Sequence, residues 1–205
     1  MGEVRIKKDT GKTGMRREEI LEKAARLFRK TGYSACTMRM IAGASGMEAA
    51  SLYNHITSKQ ELLKELLFSV AAEFTSGMDA AEKLPANAFQ KLEFLVDLHI
   101  DITLRWPDRV ALITGEWIHL DEPDLSSYTR LRNDYEQRFR SIILEGKKQG
   151  ILENLSTDLS LFSILSSLHW LYSWAGKHTE LSTNTIRKEL KQCLLGGLKT
   201  QNTPN

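Results

Sequence analysis

The stretch Thr37–Lys59, TMRMIAGASGMEAASLYNHITSK, decides how this 205-residue chain folds. Gly46 stands where the chain must reverse within a few residues, and glycine takes the left-handed backbone without a Cβ penalty. Four residues earlier, Ala42 is small enough to let a second helix approach closely. Ile41, Met47 and Leu52 are spaced to weld two short helices to a third. Thr37 is placed to cap the first short helix, which runs to about Ala44, and the second ends near His55. Two short helices crossing steeply about a glycine turn make a helix-turn-helix.

Outward from that stretch, apolar residues recur at helical spacing and no segment alternates with period two. Upstream, Ile20, Leu21, Ala24, Leu27 and Phe28 draw one stripe, which Gly32 and Tyr33 end in Schellman fashion. Downstream, Ser58-Lys59-Gln60-Glu61 forms a capping box that opens a long helix through Leu62, Leu63, Leu66, Leu67, Val70 and Phe74. Further helices are expected near 87–104, with His99 on the apolar face, and from Pro107 toward Trp117 and His119. Others run from the Asp121–Asp124 turn to Gly150, near 157–176 and near 184–199, and the tail from Thr200 should fray. The fold class is all-α: an N-terminal three-helix helix-turn-helix domain and a larger C-terminal helical domain. The boundaries read as a basic arm at 1–15, the helix-turn-helix at 16–60, and the second domain at 61–205.

Charge is divided along the chain. Residues 1–66 hold 13 Lys/Arg against 8 Asp/Glu, while the remaining 139 hold 15 against 18. Arg5, Lys7, Lys8, Lys12, Arg16 and Arg17 make the front the most basic segment, which fits phosphate attraction and equally fits a solvated tail. No apolar run approaches the roughly 18 residues that span a bilayer, and the first residues lack a signal-peptide pattern. Two distant cysteines, Cys36 and Cys193, exclude a disulfide framework or a zinc site by spacing and fit a reducing cytoplasm.

The pattern Ile20-Leu21-x2-Ala24-Ala25-x-Leu27-Phe28-x3-Gly32-Tyr33-x3-Thr37-x3-Ile41-Ala42-x3-Gly46-x5-Leu52-Tyr53-x-His55-x2-Ser58-Lys59-x2-Leu62-Leu63 resembles the TetR family of bacterial transcriptional regulators. The resemblance covers roughly residues 16–64. It implies a DNA-binding domain followed by a helical domain that binds a small ligand and forms a homodimer on a palindromic operator. By the same resemblance, Thr37 meets a phosphate while capping its helix, and Tyr53 and Lys59 contact phosphates. Tyr53 can instead be packed, and His55 either touches a phosphate or lies beneath the helix. Base reading falls to Arg39, Glu48, Ala49, Ala50, Ser51 and Asn54. Arg39 suits guanine and Asn54 adenine or a phosphate, whereas the two alanines offer only methyl contacts. Ala50, Ile56 and Met40 depart from the residues usual in the family, and so the operator sequence stays open.

In the second domain, Trp106, Trp117, Tyr128, Tyr135, Phe139, His169 and Tyr172 are aromatics that serve either as core or as the wall of an apolar ligand pocket. Leu104-Arg105-Trp106-Pro107 through Trp117, with Trp170 to Trp174 later, resembles family members that answer to fatty-acyl or related coenzyme A thioesters. Arg130, Arg132, Arg138 and Arg140 either meet the phosphates of such a ligand or form a solvated helix face. Leu161, Ile164 and Leu168 with Ile186, Leu190 and Leu194 are candidates for a dimer interface, although their spacing requires burial without saying against which chain. Glu116-Trp117-Ile118-His119 has the Glu-x-x-His spacing of di-iron bundles, but no second such pair occurs. Phosphate loops, nucleotide fingerprints and nucleophile elbows are missing too, so the expectation is a regulator rather than an enzyme, with no cofactor or metal. The partners expected are an operator duplex, a small-molecule effector and a second copy of the chain, with no membrane.

Overall fold

The computed structural model describes residues 10–178 and 180–200; the basic segment 1–9 and the tail 201–205 lie outside the described residues. Nine α-helices occur among them: α1 (Thr10–Thr31), α2 (Met38–Ala44), α3 (Ala49–Leu52), α4 (Lys59–Lys83), α5 (Ala88–Arg105), α6 (Pro107–Gly115), α7 (Asp124–Lys148), α8 (Thr157–Ala175) and α9 (Thr183–Leu195). A 3-10 turn, Glu116–His119, follows α6. Among the described residues there is no β-strand, only an isolated bridge between Leu152 and Lys199. Thr200 is not frayed: its amide donates to the Ile151 carbonyl at 3.1 Å. The first helix also starts earlier than expected, so residues 10–15 of the expected arm are helical.

Local chemistry explains the breaks. Thr37 caps α2 by accepting the Met40 amide, and Gly46 takes φ +65° in the turn that follows. Ser58 caps α4 by accepting the Glu61 amide. The reciprocal bond of the capping box is made one residue early, because the Glu61 carboxylate takes the Thr57 amide and hydroxyl, each at 2.6 Å. At the end of α1, Gly32 (φ +80°) donates to the Phe28 carbonyl at 2.8 Å. A Schellman end would also send the Tyr33 amide back to Phe28. That amide instead goes to Glu116 Oε2 at 3.2 Å, a contact 83 residues away in sequence.

Two large apolar clusters form. One is built from α5, α7, α8 and α9 around Leu92, Val96, Phe139, Ile164 and Leu168. The other joins Ile20, Phe28, Ile41, Ala42, Leu52 and Leu62 to Leu112, Leu120 and Tyr128. The core of the helix-turn-helix thus runs without a break into α6 and α7. Ion pairs follow the same seam: Arg29 and Arg26 reach Asp108 at 2.8 and 3.6 Å, Glu18 pairs with the buried Arg109, and Lys64 pairs with Asp124 at 2.9 Å. No helix among the described residues is long and apolar enough to cross a membrane.

Candidate DNA-binding face and ligand cavity

α2 and α3 turn one side to the core and the other to solvent. Ile41, Ala42 and Leu52 are buried, whereas Thr37, Arg39, Met40, Glu48, Ala50, Ser51, Tyr53 and Asn54 are exposed. These exposed positions include seven of the ten residues expected at the DNA face; Ala49, His55 and Lys59 are half-buried, and Ala49 packs against the core. Arg17 braces the unit from α1. Its guanidinium donates to Glu61 at 2.6 Å, to Glu65 at 2.5 Å and to the His55 carbonyl. Bonds from the Thr57 hydroxyl, then from Arg17, hold the Glu61 carboxyl down to about 2. Arg16 donates to the Ser45 carbonyl at 2.7 Å, fixing the turn itself.

Lys59 is engaged differently from a free phosphate-seeking lysine. Its ammonium donates to the Tyr33 and Cys36 carbonyls at 3.0 and 2.9 Å and lies 4.2 Å from the centre of the Tyr33 ring. Two of its three donors therefore bind the α1–α2 loop, and one remains for a phosphate.

In the second domain a narrow cavity of about 60 Å³ lies between α4, α5, α6, α7 and α8. Of the aromatics expected to line it, Tyr128, Tyr135 and His169 do, joined by Phe74, His99 and Arg132. His99 Nε2 lies 2.9 Å from the Tyr135 hydroxyl. Burial, with a smaller effect of the neighbouring His169, pushes the His99 imidazole down to about 3. The neutral His99 ring and the Tyr135 hydroxyl therefore each present one donor and one acceptor. Arg132 is the one cation of this wall, and Glu136 stands 3.8 Å from it.

Four of the expected wall residues lie elsewhere. Phe139 is wholly buried in the core of the second domain. Trp106 carries Arg105 and Arg109 on its ring at the α5–α6 corner. Tyr172 stacks on Trp170 and faces Arg29. Trp117 stands one layer behind the wall, stacked on Tyr128 and under Arg132. Helical spacing marks an aromatic as inward-facing but does not separate a cavity wall from a filled core. The signal for His99 was present in the sequence, since it is a titratable residue on the apolar stripe of α5. Among the arginines weighed as phosphate readers, Arg138 is held by Asp79 and Glu82, and Arg140 by Asp158.

The residues expected at a dimer interface are packed within this protomer. Leu161, Ile164, Leu168 and Ile186 are already buried within this protomer, and Leu190 and Leu194 are half-buried against the same core. Because α8 is apolar all round, periodicity could not choose between its faces. The face left open carries Leu159, Phe162, Trp170 and Trp174, with Phe162 67% exposed and Trp170 65%.

A family described as "Bacterial regulatory proteins, tetR family" matches residues 20–66, and one described as "Tetracyclin repressor-like, C-terminal domain" matches residues 85–198, over half the chain. The chain belongs to the TetR family. It is a DNA-binding transcriptional regulator, not an enzyme. It is 28% identical, over 92% of its length and 93% of the relative's, to the HTH-type transcriptional repressor KstR2 of Rhodococcus jostii (strain RHA1). The structure of the ketosteroid transcriptional regulator KstR2 of Mycobacterium tuberculosis superposes with a TM-score of 0.84, at 23% identity and 98% coverage of both chains. That of AibR in complex with isovaleryl coenzyme A and operator DNA superposes at 0.74, with 25% identity, 87% coverage of this chain and 97% of AibR.

Proposed function

We propose that this TetR-family chain is a cytoplasmic repressor that binds a palindromic operator as a homodimer and leaves it when a small, largely apolar ligand enters the second domain. The observation that carries this reading is the continuous core from the helix-turn-helix to Tyr128, a residue of the cavity wall. Through that core the cavity and the DNA face share packing, so a ligand that favours one arrangement of the wall shifts the population of the other.

Thr37, Tyr53, Asn54 and the third donor of Lys59 would position the phosphates, and His55 would support them from beneath. Arg39, Glu48, Ala50 and Ser51 would face base edges, with Ala49 as a support. The exposed α8 stripe supports pairing of two copies, which sets two recognition units about one helical turn apart. An acyl coenzyme A thioester is the ligand class favoured here. AibR was solved with isovaleryl coenzyme A, and this cavity combines an aromatic wall with one half-exposed arginine, Arg132.

The test is selection of binding sites from a random duplex pool at fixed, near-physiological salt, followed by challenge of the complex with isovaleryl and longer acyl coenzyme A thioesters. An inverted repeat released by a thioester supports the full reading. Sequences without symmetry would overturn the dimeric operator, and a complex indifferent to every thioester would overturn the ligand class.

A further inference from the structure

The turn Glu116–His119 has one foot on each domain. A 3-10 helix repeats every three residues, so Glu116 and His119 share a face while Trp117 points elsewhere. On the first face, Glu116 Oε2 accepts the Tyr33 amide at 3.2 Å, and the His119 ring stacks on the Tyr33 ring at 5.4 Å. The two side chains also meet, His119 Nε2 lying 3.5 Å from Glu116 Oε2. Tyr33 in turn holds the Lys59 ammonium through its carbonyl and its ring, and so fixes the loop that presents α2. Gln60, the next residue of α4, clamps the turn by donating to the His119 carbonyl at 2.7 Å.

On the other face, Trp117 lies against the cavity wall. Its indole stacks on Tyr128 at 6.4 Å, and the Arg132 guanidinium sits 4.5 Å from its ring centre. Both partners line the cavity. At about 60 Å³ the cavity has room for only a few waters, so a larger ligand has to displace side chains of the wall. Tyr128 is enclosed by packed core on its other sides, and Arg132 is the wall's one cation. A ligand with an anionic group would compete with Trp117 for Arg132, and its apolar body would press on Tyr128, which stacks on the same ring.

We propose that the Glu116–His119 turn is the joint through which an anionic ligand at Arg132 loosens Tyr33 and Lys59, and with them the α1–α2 loop of the DNA-binding unit. This rests on the effector-controlled function proposed above. The joint itself, however, can be read without ligand or DNA.

The experiment is amide hydrogen exchange, residue by residue, on the ligand-free and DNA-free protein and its variants. Arg132→Ala removes the cation from Trp117 at a half-exposed site, far in sequence from the loop. It is expected to speed exchange of the Tyr33 amide by about ten-fold, a coupling of ordinary size between linked sites. Amides of α5 from Leu92 to Ile100 should keep wild-type rates. Glu116→Gln should give a similar increase, and the double variant no more than either single one. Leu165→Ala, which opens the cavity wall away from Trp117, should leave Tyr33 unchanged.

Wild-type exchange at Tyr33 in Arg132→Ala would overturn the joint, and so would an equal increase in Leu165→Ala, which would signify general loosening. If the alanine variant does not fold, Arg132→Gln, which keeps an aliphatic stem, is read in the same way. Failure of wild-type protein to select any duplex would instead overturn the regulatory function and leave the exchange result standing.

Discussion

Lys59 and Tyr33 are bound to each other twice, by a 3.0 Å hydrogen bond from the ammonium to the carbonyl and by a 4.2 Å approach of the same ammonium to the ring. The lysine opens α4, the tyrosine ends the α1 turn, and the helix-turn-helix hangs between them. A lysine whose only task is a phosphate leaves the DNA-free protein indifferent to its removal. Here Lys59→Met, which keeps the apolar stem, should lower stability by about 1–2 kcal/mol, since hydrogen bonds from a charged donor to two carbonyls are lost. Urea unfolding of the DNA-free protein measures it. An unchanged midpoint would return Lys59 to a purely phosphate-binding role.

Gly46 and Gly43 separate backbone strain from steric fit. Neither has an atom within 4 Å of where a Cβ would lie, so space does not distinguish them. Gly46 has φ +65°, whereas Gly43 lies inside α2. Gly46→Ala should cost about 1–2 kcal/mol from the left-handed conformation alone. Gly43→Ala should stabilise by up to about 1 kcal/mol through helix propensity. Equal effects of the two substitutions in a thermal melt would contradict this.

The turn glycine and its small partner Ala42 were legible in the sequence because a steep helix crossing admits few residue types there. Helix ends were legible for the same kind of reason: Thr37, Ser58 and Pro107 satisfy or excuse backbone amides locally. What could not be read was anything decided between distant segments. The Tyr33 amide leaves its own helix for Glu116 because α6 happens to bring a carboxylate there, and no local rule encodes that. Phe139 fills a core and Tyr135 borders a cavity although they lie four residues apart on one face of α7. The difference lies in what the facing helices leave unfilled.

Acid should act first through His99. Burial holds its folded value at about 3, against 6.5 in an open chain. Below pH 6.5 the unfolded chain binds a proton that the folded one refuses, so stability falls as pH drops from about 6.5 toward 3. The slope from this one group is at most about 1.4 kcal/mol per pH unit. His99→Gln retains a hydrogen-bonding partner for Tyr135 and does not titrate. Its stability should fall less steeply between pH 6 and 4, as followed by urea midpoints. A slope equal to wild type would mean that His99 is already protonated in the fold.

Glu61 contributes over a lower window. Its folded value of about 2 lies below the ordinary 4.5, so its stabilisation is complete above about pH 5 and is lost as pH falls toward 2. The Thr57 hydroxyl is the largest cause, ahead of Arg17. Thr57→Val should therefore raise the Glu61 value, which carboxyl NMR titration reads directly. A titration midpoint unmoved by that substitution would assign the shift to Arg17 instead.

The exposed stripe of α8 makes the sharpest claim about assembly. Leu159, Phe162, Trp170 and Trp174 recur at three-, four- and eight-residue steps on one face, next to a groove lined by Leu171, Leu181 and Leu190. A large apolar surface of this kind on a regulator is best accounted for by a second copy laying the same face against it. Phe162→Glu places a charge where the single protomer is 67% exposed, so its own stability should change by no more than about 0.5 kcal/mol. In a dimer the same charge is buried opposite its own symmetry mate, which carries a penalty of several kcal/mol per ion. Sedimentation should therefore find Phe162→Glu monomeric with its melting temperature nearly unchanged. Binding to an inverted repeat should fall at least a hundred-fold, while weak binding to a single half-site persists. A variant that still sediments as a dimer would move the interface off this face of α8.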